Sequence, residues 1–243
     1  ERFDMKYKLI MFDMDGTLLP MEQDTFVKGY FYLLCKEVAD KIDADSFVKS
    51  IWSGVRAMAL SNGITTNREA FWKDFEEKTK LDRDYFEKVC DDFYANGFKK
   101  AIGFTSPNPL AKEAVDIAHS KAKHVVLATN PLFPLVAQKT RLSFVGLDEK
   151  DFDYITAYED QYFIKPDTRY YQALLDKYNV LPSECLMIGN DEHEDAYPCK
   201  NLGIDVYLVN DCAIRSDKHP YSGLEGSFSD LIDYLKGLDD EGK

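Results

Sequence analysis

Two aspartates separated by a single residue, Asp13 and Asp15, are the side chains of this sequence best suited to chemistry. They follow an apolar segment, residues 7–12, which is typical of a strand buried in a sheet. Gly16 comes next and lets the backbone turn sharply. Two carboxylates this close repel each other unless a cation lies between them or one is protonated. The pair therefore indicates a cation or proton site at the end of a buried strand, with a simple polar turn as the alternative.

Three later segments also place polar side chains at or just beyond a predicted strand. Because the carboxyl ends of parallel strands share one edge of a sheet, we expect these side chains to converge with the two aspartates. A hydroxyl and an amide could bind a phosphate oxygen, a lysine supplies positive charge, and carboxylates suit a hard cation such as Mg²⁺. These are the group types that phosphoryl transfer needs. The residues, in chain order, are Thr129, Asn130, Lys165, Asn190, Asp191 and Asp195.

The hydrophobic pattern divides the chain into two kinds of segment. Residues 20–98 show helical spacing throughout and predict four amphipathic helices, the first capped by Asp24. Their aromatic side chains, including Trp52 and Trp72, are expected to form a packing core between helices and not a substrate cage. From about residue 105 onwards, predicted strands and helices alternate, which favours a parallel sheet covered on both faces.

We therefore predict an α/β fold: a Rossmann-like parallel sheet core with helices on both faces and an inserted all-helical cap domain. The predicted core domain comprises residues 1–19 and 99–243, and the predicted cap domain comprises residues 20–98. The acidic tail after Leu238 is expected to be frayed.

Composition narrows the possible partners. The 243 residues carry a formal net charge of −13, which argues against non-specific binding to nucleic acid or to an anionic membrane. No apolar run approaches the roughly 20 residues that span a bilayer, and the start of the chain does not resemble a signal peptide. Five widely spaced cysteines without a C-x-x-C pair are expected to be reduced thiols of a cytoplasmic protein. The sequence does not indicate an oligomeric state.

Four ordered motifs, taken together, resemble those of the haloacid dehalogenase-like (HAD) hydrolase superfamily, in the branch with a helical cap inserted after the first strand. The D-x-D-G-T motif is matched within residues 11–18, and the strand-end Thr is matched by Thr129, followed by Asn130. The motif lysine is matched by Lys165 before Pro166. The acidic loop that follows a strand and a glycine is matched within residues 187–195. The resemblance covers nearly the whole chain.

The resemblance implies a role for each catalytic side chain. Asp13 would attack phosphorus and form an aspartyl-phosphate. Asp15 would protonate the leaving oxygen and then activate the water that hydrolyses the intermediate. Thr129 and Lys165 would stabilise the charge of the transferring group, and Asn130 would join them in binding the substrate.

The resemblance also implies a Mg²⁺ ion, held by Asp13, the backbone carbonyl of Asp15 and an acidic residue of the fourth motif. Many relatives have Asp directly after the glycine of that motif, whereas this chain has Asn190 there. We therefore favour Asp191 as the metal ligand, with Asp195 as a further ligand or as a neighbour of the ligands.

These expectations combine into a Mg²⁺-dependent phosphatase that acts on a small phosphorylated metabolite beneath the cap. Three alternatives stay open at this point. A phosphomutase would use the same aspartyl-phosphate and return the phosphoryl group to a sugar. A 2-haloacid dehalogenase is less favoured because it has no use for Asp15 as a proton donor, and a non-catalytic binding protein would not need the complete set of polar residues.

Overall fold

A six-stranded, all-parallel sheet forms the centre of the protein in a computed structural model that describes residues 5–238. The strands lie in the order β3-β2-β1-β4-β5-β6, so β1 and β4, which carry the D-x-D motif and the acidic loop, are neighbours in the middle. The sequence pattern did not reveal β6, which is three residues long with two exposed side chains. The strands are β1 Leu9–Phe12, β2 His124–Leu127, β3 Tyr154–Ile155, β4 Cys185–Gly189, β5 Asp205–Val209 and β6 Leu224–Gly226.

Helices cover both faces of the sheet, as the alternating pattern predicts. Side chains at successive strand positions point to opposite faces, so Ile10 and Phe12 pack in one cluster of buried residues while Leu9 and Met11 pack in another. The first cluster includes side chains of α5, α6 and α9, and the second includes those of α7 and α8. The predicted α/β class with a parallel, Rossmann-like sheet is confirmed. These helices are α5 Ala111–Lys121, α6 Leu135–Ser143, α7 Thr168–Tyr178, α8 Tyr197–Leu202 and α9 Phe228–Gly237.

Four helices lie between β1 and α5, and no strand interrupts them, which confirms the helical prediction for this segment. They are followed by a 3₁₀ segment, Gly97–Phe104. The predicted cap at Asp24 is wrong: Glu22 is the N-cap, and its carboxylate accepts hydrogen bonds from the N–H groups of Asp24 and Thr25. Glu reaches the same orphan donors as Asp through a longer side chain. The helices are α1 Gln23–Glu37, α2 Ala44–Ala59, α3 Asn67–Thr79 and α4 Arg83–Ala95.

The inserted helices are joined to the core by buried polar contacts. The amide of Asn67, at the start of α3, donates to the carbonyl oxygen of Phe163 at 3.2 Å and to that of Pro131 at 3.4 Å. The hydroxyl of Thr140 in α6 donates to the carbonyl oxygen of Tyr94 in α4 at 2.7 Å. These bonds hold the helices over the loops that follow β2 and β3. The cap boundaries at residues 20 and 98 stay a prediction.

Among residues 5–238, no helix is long and apolar enough to cross a membrane.

All five cysteines of the chain lie in this described part and are free thiols; Cys90, Cys185 and Cys199 are buried, and Cys35 and Cys212 are half-buried. The expectation about the tail after Leu238 concerns residues outside those described.

Candidate active site

Asp13 lies directly after β1, where the strand continues its pairing with β4: its N–H donates to the carbonyl oxygen of Ile188 at 2.8 Å. The side chain is 7% exposed. Its Oδ1 accepts a hydrogen bond from the Lys165 ammonium at 2.8 Å, and its Oδ2 has, among residues 5–238, only a long contact, 3.4 Å, with the hydroxyl of Thr17. The two oxygens therefore differ: one is fixed by a lysine and the other is available.

Lys165 is the centre of a three-member charge network. It is buried, and its Nζ also donates to Asp195 Oδ1 at 2.7 Å. The other oxygen of Asp195 accepts the backbone N–H groups of Asn190 and Asp191, each at 3.1 Å. Asp195 thus holds the acidic loop and the lysine together. These contacts are those of a residue next to the metal ligands, one of the two roles that the sequence analysis left open for it. The three loops that follow β1, β3 and β4 meet at this network.

The charges of the network depend on one another. Burial, with the neighbouring Asp195 and Asp15 carboxylates, raises the pKa of Asp13 to about 8, although the charge and hydrogen bond of Lys165 lower it. Burial alone would lower the pKa of Lys165, but Asp13 and Asp195 raise it well above its usual value. Lys165 is therefore charged, and Asp13 lies in surroundings where additional positive charge would favour its ionised form.

Glycine is required at two places around this network. Gly16 has a φ of +84°, and a Cβ there would lie 2.2 Å from Asn190 Nδ2. A Cβ on Gly189 would lie 2.3 Å from Asp195 Oδ2. Without side chains at these two positions, the turn after β1 and the loop after β4 can pack against each other.

Asn190 joins two loops through its side-chain amide. Its Nδ2 donates to the carbonyl oxygen of Cys212 at 2.8 Å, and its Oδ1 accepts the Thr17 hydroxyl at 3.1 Å. Both polar atoms are therefore engaged within the protein. This arrangement accounts physically for an amide at the position after Gly189.

Asn130 and Thr129 follow β2, as predicted, and line one polar cavity with Asp13 and Asp191. Its empty volume, including the open space at its mouth, is about 780 Å³. The amide of Asn130 is used inside the protein, because Nδ2 donates to Glu194 Oε2 at 3.0 Å and Oδ1 accepts the Lys165 N–H at 3.2 Å. The bond to Glu194 uses one of the two N–H groups on Nδ2, so the second is the group that could donate to a substrate. The side chain of Thr129 does not cap α6, which begins at Leu135 after Pro134.

Glu194 is a site residue that the sequence analysis did not select. Burial raises its pKa to about 7, with the Asp191 and Asp195 carboxylates adding to the shift and Lys165 opposing it. Its position within an acidic run, residues 191–195, was the available signal. The run contains several carboxylates, and their spacing in the sequence does not show which of them face the site and which face solvent.

Arg141 is the second site residue that the sequence did not reveal. It lies in α6, is fully buried, and donates through Nη1 to Asp15 Oδ2 and through Nη2 to Gln138 Oε1. Its guanidinium carbon is 4.5 Å from the centre of the Phe133 ring. The other oxygen of Asp15, Oδ1, is buried and has no hydrogen-bond partner among residues 5–238. Arg141 therefore orients Asp15 through one carboxylate oxygen and leaves the second free.

The residues expected to hold Mg²⁺ fit such an ion in chemistry. Within residues 5–238, no three side chains of Asp, Glu, His or Cys form a metal centre by themselves. The predicted donors are instead two carboxylates and a backbone carbonyl, which suits an ion that keeps several waters. Asp191 uses Oδ1 to accept the N–H groups of His193 and Glu194, and burial raises its pKa.

The charge balance of the polar cavity also suits a divalent cation. Five carboxylates line it, and the two cations that contact them are Lys165 and Arg141. A divalent cation would offset part of the remaining negative charge. The five lining carboxylates belong to Asp13, Asp15, Asp191, Glu194 and Asp195.

Comparison with known proteins identifies the family. The model of the haloacid dehalogenase-like hydrolase family matches residues 7–203, which include every motif of the site. The chain belongs to this family. The resemblance predicted from the four motifs is thereby confirmed at the level of the superfamily. A search of curated proteins found no match.

Solved HAD structures share the fold of this chain. A HAD phosphatase from Thermococcus onnurineus is 19% identical, with a TM-score of 0.59 over 95% of this chain and 98% of the other. L-2-haloacid dehalogenase from Xanthobacter autotrophicus is 12% identical, with a TM-score of 0.58 over 95% and 99%. A Bacillus subtilis protein described as a HAD-hydrolase, YfnB, bound to magnesium, is 18% identical, with a TM-score of 0.58 over 95% and 99%. At these identities the likeness concerns the fold, and the named activities differ among the neighbours.

The Arg141–Asp15 ion pair can be tested without an activity assay, by a double-mutant cycle. We expect Arg141→Met and Asp15→Asn each to alter the free energy of unfolding, with a coupling energy of about 0.5–3 kcal/mol between them, because the two side chains are in direct contact. Lys139→Met, on the exposed side of α6, should change that free energy by no more than about 0.5 kcal/mol. Chemical denaturation of the four cycle members measures the coupling. Additive effects would contradict the ion pair.

Proposed function

We propose that this HAD-family hydrolase is a Mg²⁺-dependent phosphatase that cleaves a small phosphate monoester through an aspartyl-phosphate on Asp13. The contacts of Asp13 support the nucleophile role. Lys165 fixes Oδ1, and Oδ2, with only its long contact to Thr17, is free to attack phosphorus. In this first step the bond from phosphorus to the leaving oxygen breaks as the bond to Asp13 forms.

The observation that carries the proposal is the second aspartate, Asp15, held by Arg141 with one buried oxygen unpaired. A phosphatase needs this group twice. It gives a proton to the leaving oxygen, and it then takes a proton from the water that attacks the aspartyl-phosphate and releases inorganic phosphate. A dehalogenase, whose halide leaves without a proton, has no use for such a group.

The remaining residues would stabilise the negative charge of the transferring phosphoryl group. Lys165 and the hydroxyl of Thr129 would stabilise the oxygens of the transferring group, and Asp195 would keep Lys165 in place. When bound, Mg²⁺ would supply further positive charge next to these oxygens, and Asp13, Asp191 and the Asp15 carbonyl would hold it. The buried surroundings of Lys165 and Asp13 strengthen each of these interactions relative to bulk water.

The metal requirement can be tested with p-nitrophenyl phosphate. We expect a chelator to abolish hydrolysis, added Mg²⁺ to restore it and Ca²⁺ to support it poorly, because Ca²⁺ takes a looser and higher coordination. Asp191→Asn should weaken activation by Mg²⁺ by about 10–100-fold, since one carboxylate ligand is lost. The control is Asp217→Asn, the same change at an exposed loop position. Full activity in excess chelator would contradict the metal assignment.

The division of labour between the two aspartates can be tested by trapping the phosphoenzyme. Acid quench, borohydride reduction and mass spectrometry should place the label on Asp13, and Asp13→Asn should form no phosphoenzyme. Asp15→Asn should still become phosphorylated by p-nitrophenyl phosphate, because that leaving group needs little protonation. Turnover of an alkyl phosphate should fall by about 10²–10⁴-fold in this variant, the usual loss for a general acid–base group.

Phosphate on Asp15, or a phosphoenzyme formed by Asp13→Asn, would contradict this assignment of roles. Equal losses for p-nitrophenyl and alkyl phosphates in the rate of phosphoenzyme formation by the Asp15→Asn variant would contradict the proton-donor role specifically.

A further inference from the structure

A second cavity opens between the inserted helices and the loop after β2. Its empty volume is about 830 Å³, including the open space at its mouth. All but two of its lining residues are apolar or aromatic, and the two exceptions are Asp15 and Gln23. We call it the aromatic cavity; its ring-bearing residues include Phe31, Trp52, Phe71, Trp72, Phe133 and Tyr158.

The aromatic cavity adjoins the polar cavity of the active site. Asp15, Gln23, Leu132 and Phe133 line both. Asp15 therefore lies at the junction between a phosphoryl group in the polar cavity and the rest of a substrate in the aromatic cavity. In an in-line displacement the leaving oxygen is on the side of phosphorus opposite the nucleophile. The leaving group of a substrate attacked by Asp13 and protonated by Asp15 would thus extend into the aromatic cavity.

The hydroxyls of the three lining tyrosines and the indole N–H of Trp72 are already paired. The hydroxyls of Tyr30 and Tyr94 bond to each other at 2.7 Å. The Tyr158 hydroxyl accepts the Trp72 indole N–H at 3.1 Å and donates to Glu87 at 3.3 Å. Among residues 5–238, no lysine, arginine or histidine lines this cavity. The polar groups that remain are Asp15, Gln23 and the Trp52 indole, which are too few to replace the hydration of a sugar, a carboxylate or a second phosphate.

The two tryptophans of the inserted helices differ in a way that the sequence did not predict. Trp72 is 2% exposed and packs against Phe71 and Phe75, as expected of a packing residue. Trp52 is 50% exposed, although it lines the aromatic cavity, and its ring lies 5.8 Å from that of Phe31. A large aromatic side chain left half in solvent beside an apolar cavity can stack on a ligand at little conformational cost.

We infer that the aromatic cavity binds the leaving group of the substrate, and that the substrate is a phosphate monoester of an apolar, ring-containing alcohol. This inference rests on the proposed phosphatase function. In the reaction the P–O bond to the ring-containing alcohol breaks, Asp13 takes the phosphoryl group, and the proton on Asp15 goes to the alcohol oxygen. The alcohol then leaves through the mouth beside Trp52.

The binding of the ring can be measured without catalysis. We use 2-naphthylmethanol, the alcohol alone, and follow its binding to the intact protein by calorimetry and by quenching of tryptophan fluorescence. Saturable binding is expected, weakened about tenfold in Trp52→Ala because one stacking face is lost. Tyr32→Ala, which removes a 62% exposed ring outside the cavity, is the matched control and should bind like the wild type. No saturable binding to the wild-type protein would overturn the inference, whatever the activity.

Catalysis supplies the second readout. 2-Naphthylmethyl phosphate and benzyl phosphate should have a kcat/KM at least about tenfold above that of glucose 6-phosphate or glycerol 1-phosphate, all of them esters of primary alcohols, because each ring buries apolar surface. Val55→Trp, which partly fills the cavity, should abolish this preference while glycerol 1-phosphate is still cleaved. A preference for the sugar or glycerol ester would overturn the inference and leave the phosphatase function intact. Naphthylmethanol binding without hydrolysis of any phosphate would overturn the proposed function and, with it, the substrate.

Discussion

The contact on which the rest of the site depends is the bond of Lys165 to two carboxylates at once, Asp13 at 2.8 Å and Asp195 at 2.7 Å. All three side chains are nearly or fully buried. Removing the desolvated lysine would leave two uncompensated negative charges, and breaking a buried pair in this way typically costs about 3–5 kcal/mol. The network therefore fixes the relative positions of the three loops from which the site is built.

The same network decides how Asp13 can react. Lys165 holds one carboxylate oxygen, whereas the hydrogen bond found for the other among residues 5–238 is the long one from Thr17. Asp15 follows the same logic with a different cation, since Arg141 holds Oδ2 and leaves Oδ1 unpaired. Each aspartate is thus oriented by one cation through one oxygen. Two identical side chains in one short motif acquire different environments, which is what a nucleophile and a proton-transfer group require.

The inserted helices add the second half of the site. They bring an apolar cavity that shares Asp15 with the polar cavity, and hydrogen bonds of Asn67 and Thr140 join them to the core. The polar cavity is chemically suited to any phosphoryl group. Selectivity between substrates then depends on the aromatic cavity. Its lining residues have the helical spacing of packing residues, so the sequence pattern alone assigns them to the core between the helices.

Much of this could be predicted because a parallel sheet brings the ends of its strands to one edge. Asp13, Thr129 and Asp191 are far apart in sequence yet line one cavity for that reason. Arg141 could not be predicted, because it lies within a helix and belongs to no recognisable motif. Its partner, Asp15, is also distant in the chain. Trp52 could not be separated from Trp72 either, because helical spacing shows which residues share a face but not whether that face meets a cavity.

Short elements and caps also escaped the sequence. β6 has three residues, of which the one that is buried is Gly226, so no buried side chain is present to show alternation. The choice of Glu22 over Asp24 as the cap of α1 depends on where the helix begins, which is set by packing against the core. In both cases contacts between distant residues determine where the element begins and ends, and the local sequence pattern does not show those contacts.

The central claim is that Asp13 receives the phosphoryl group on the oxygen that Lys165 leaves free. A crystal structure of the protein with Mg²⁺ and fluoroberyllate, a mimic of a phosphoryl group, tests it directly. The account predicts beryllium bonded to Asp13 Oδ2, with Lys165 still bonded to Oδ1 and to Asp195. Beryllium on Asp15, or an Asp13 that stays unmodified at saturating fluoroberyllate, would contradict it.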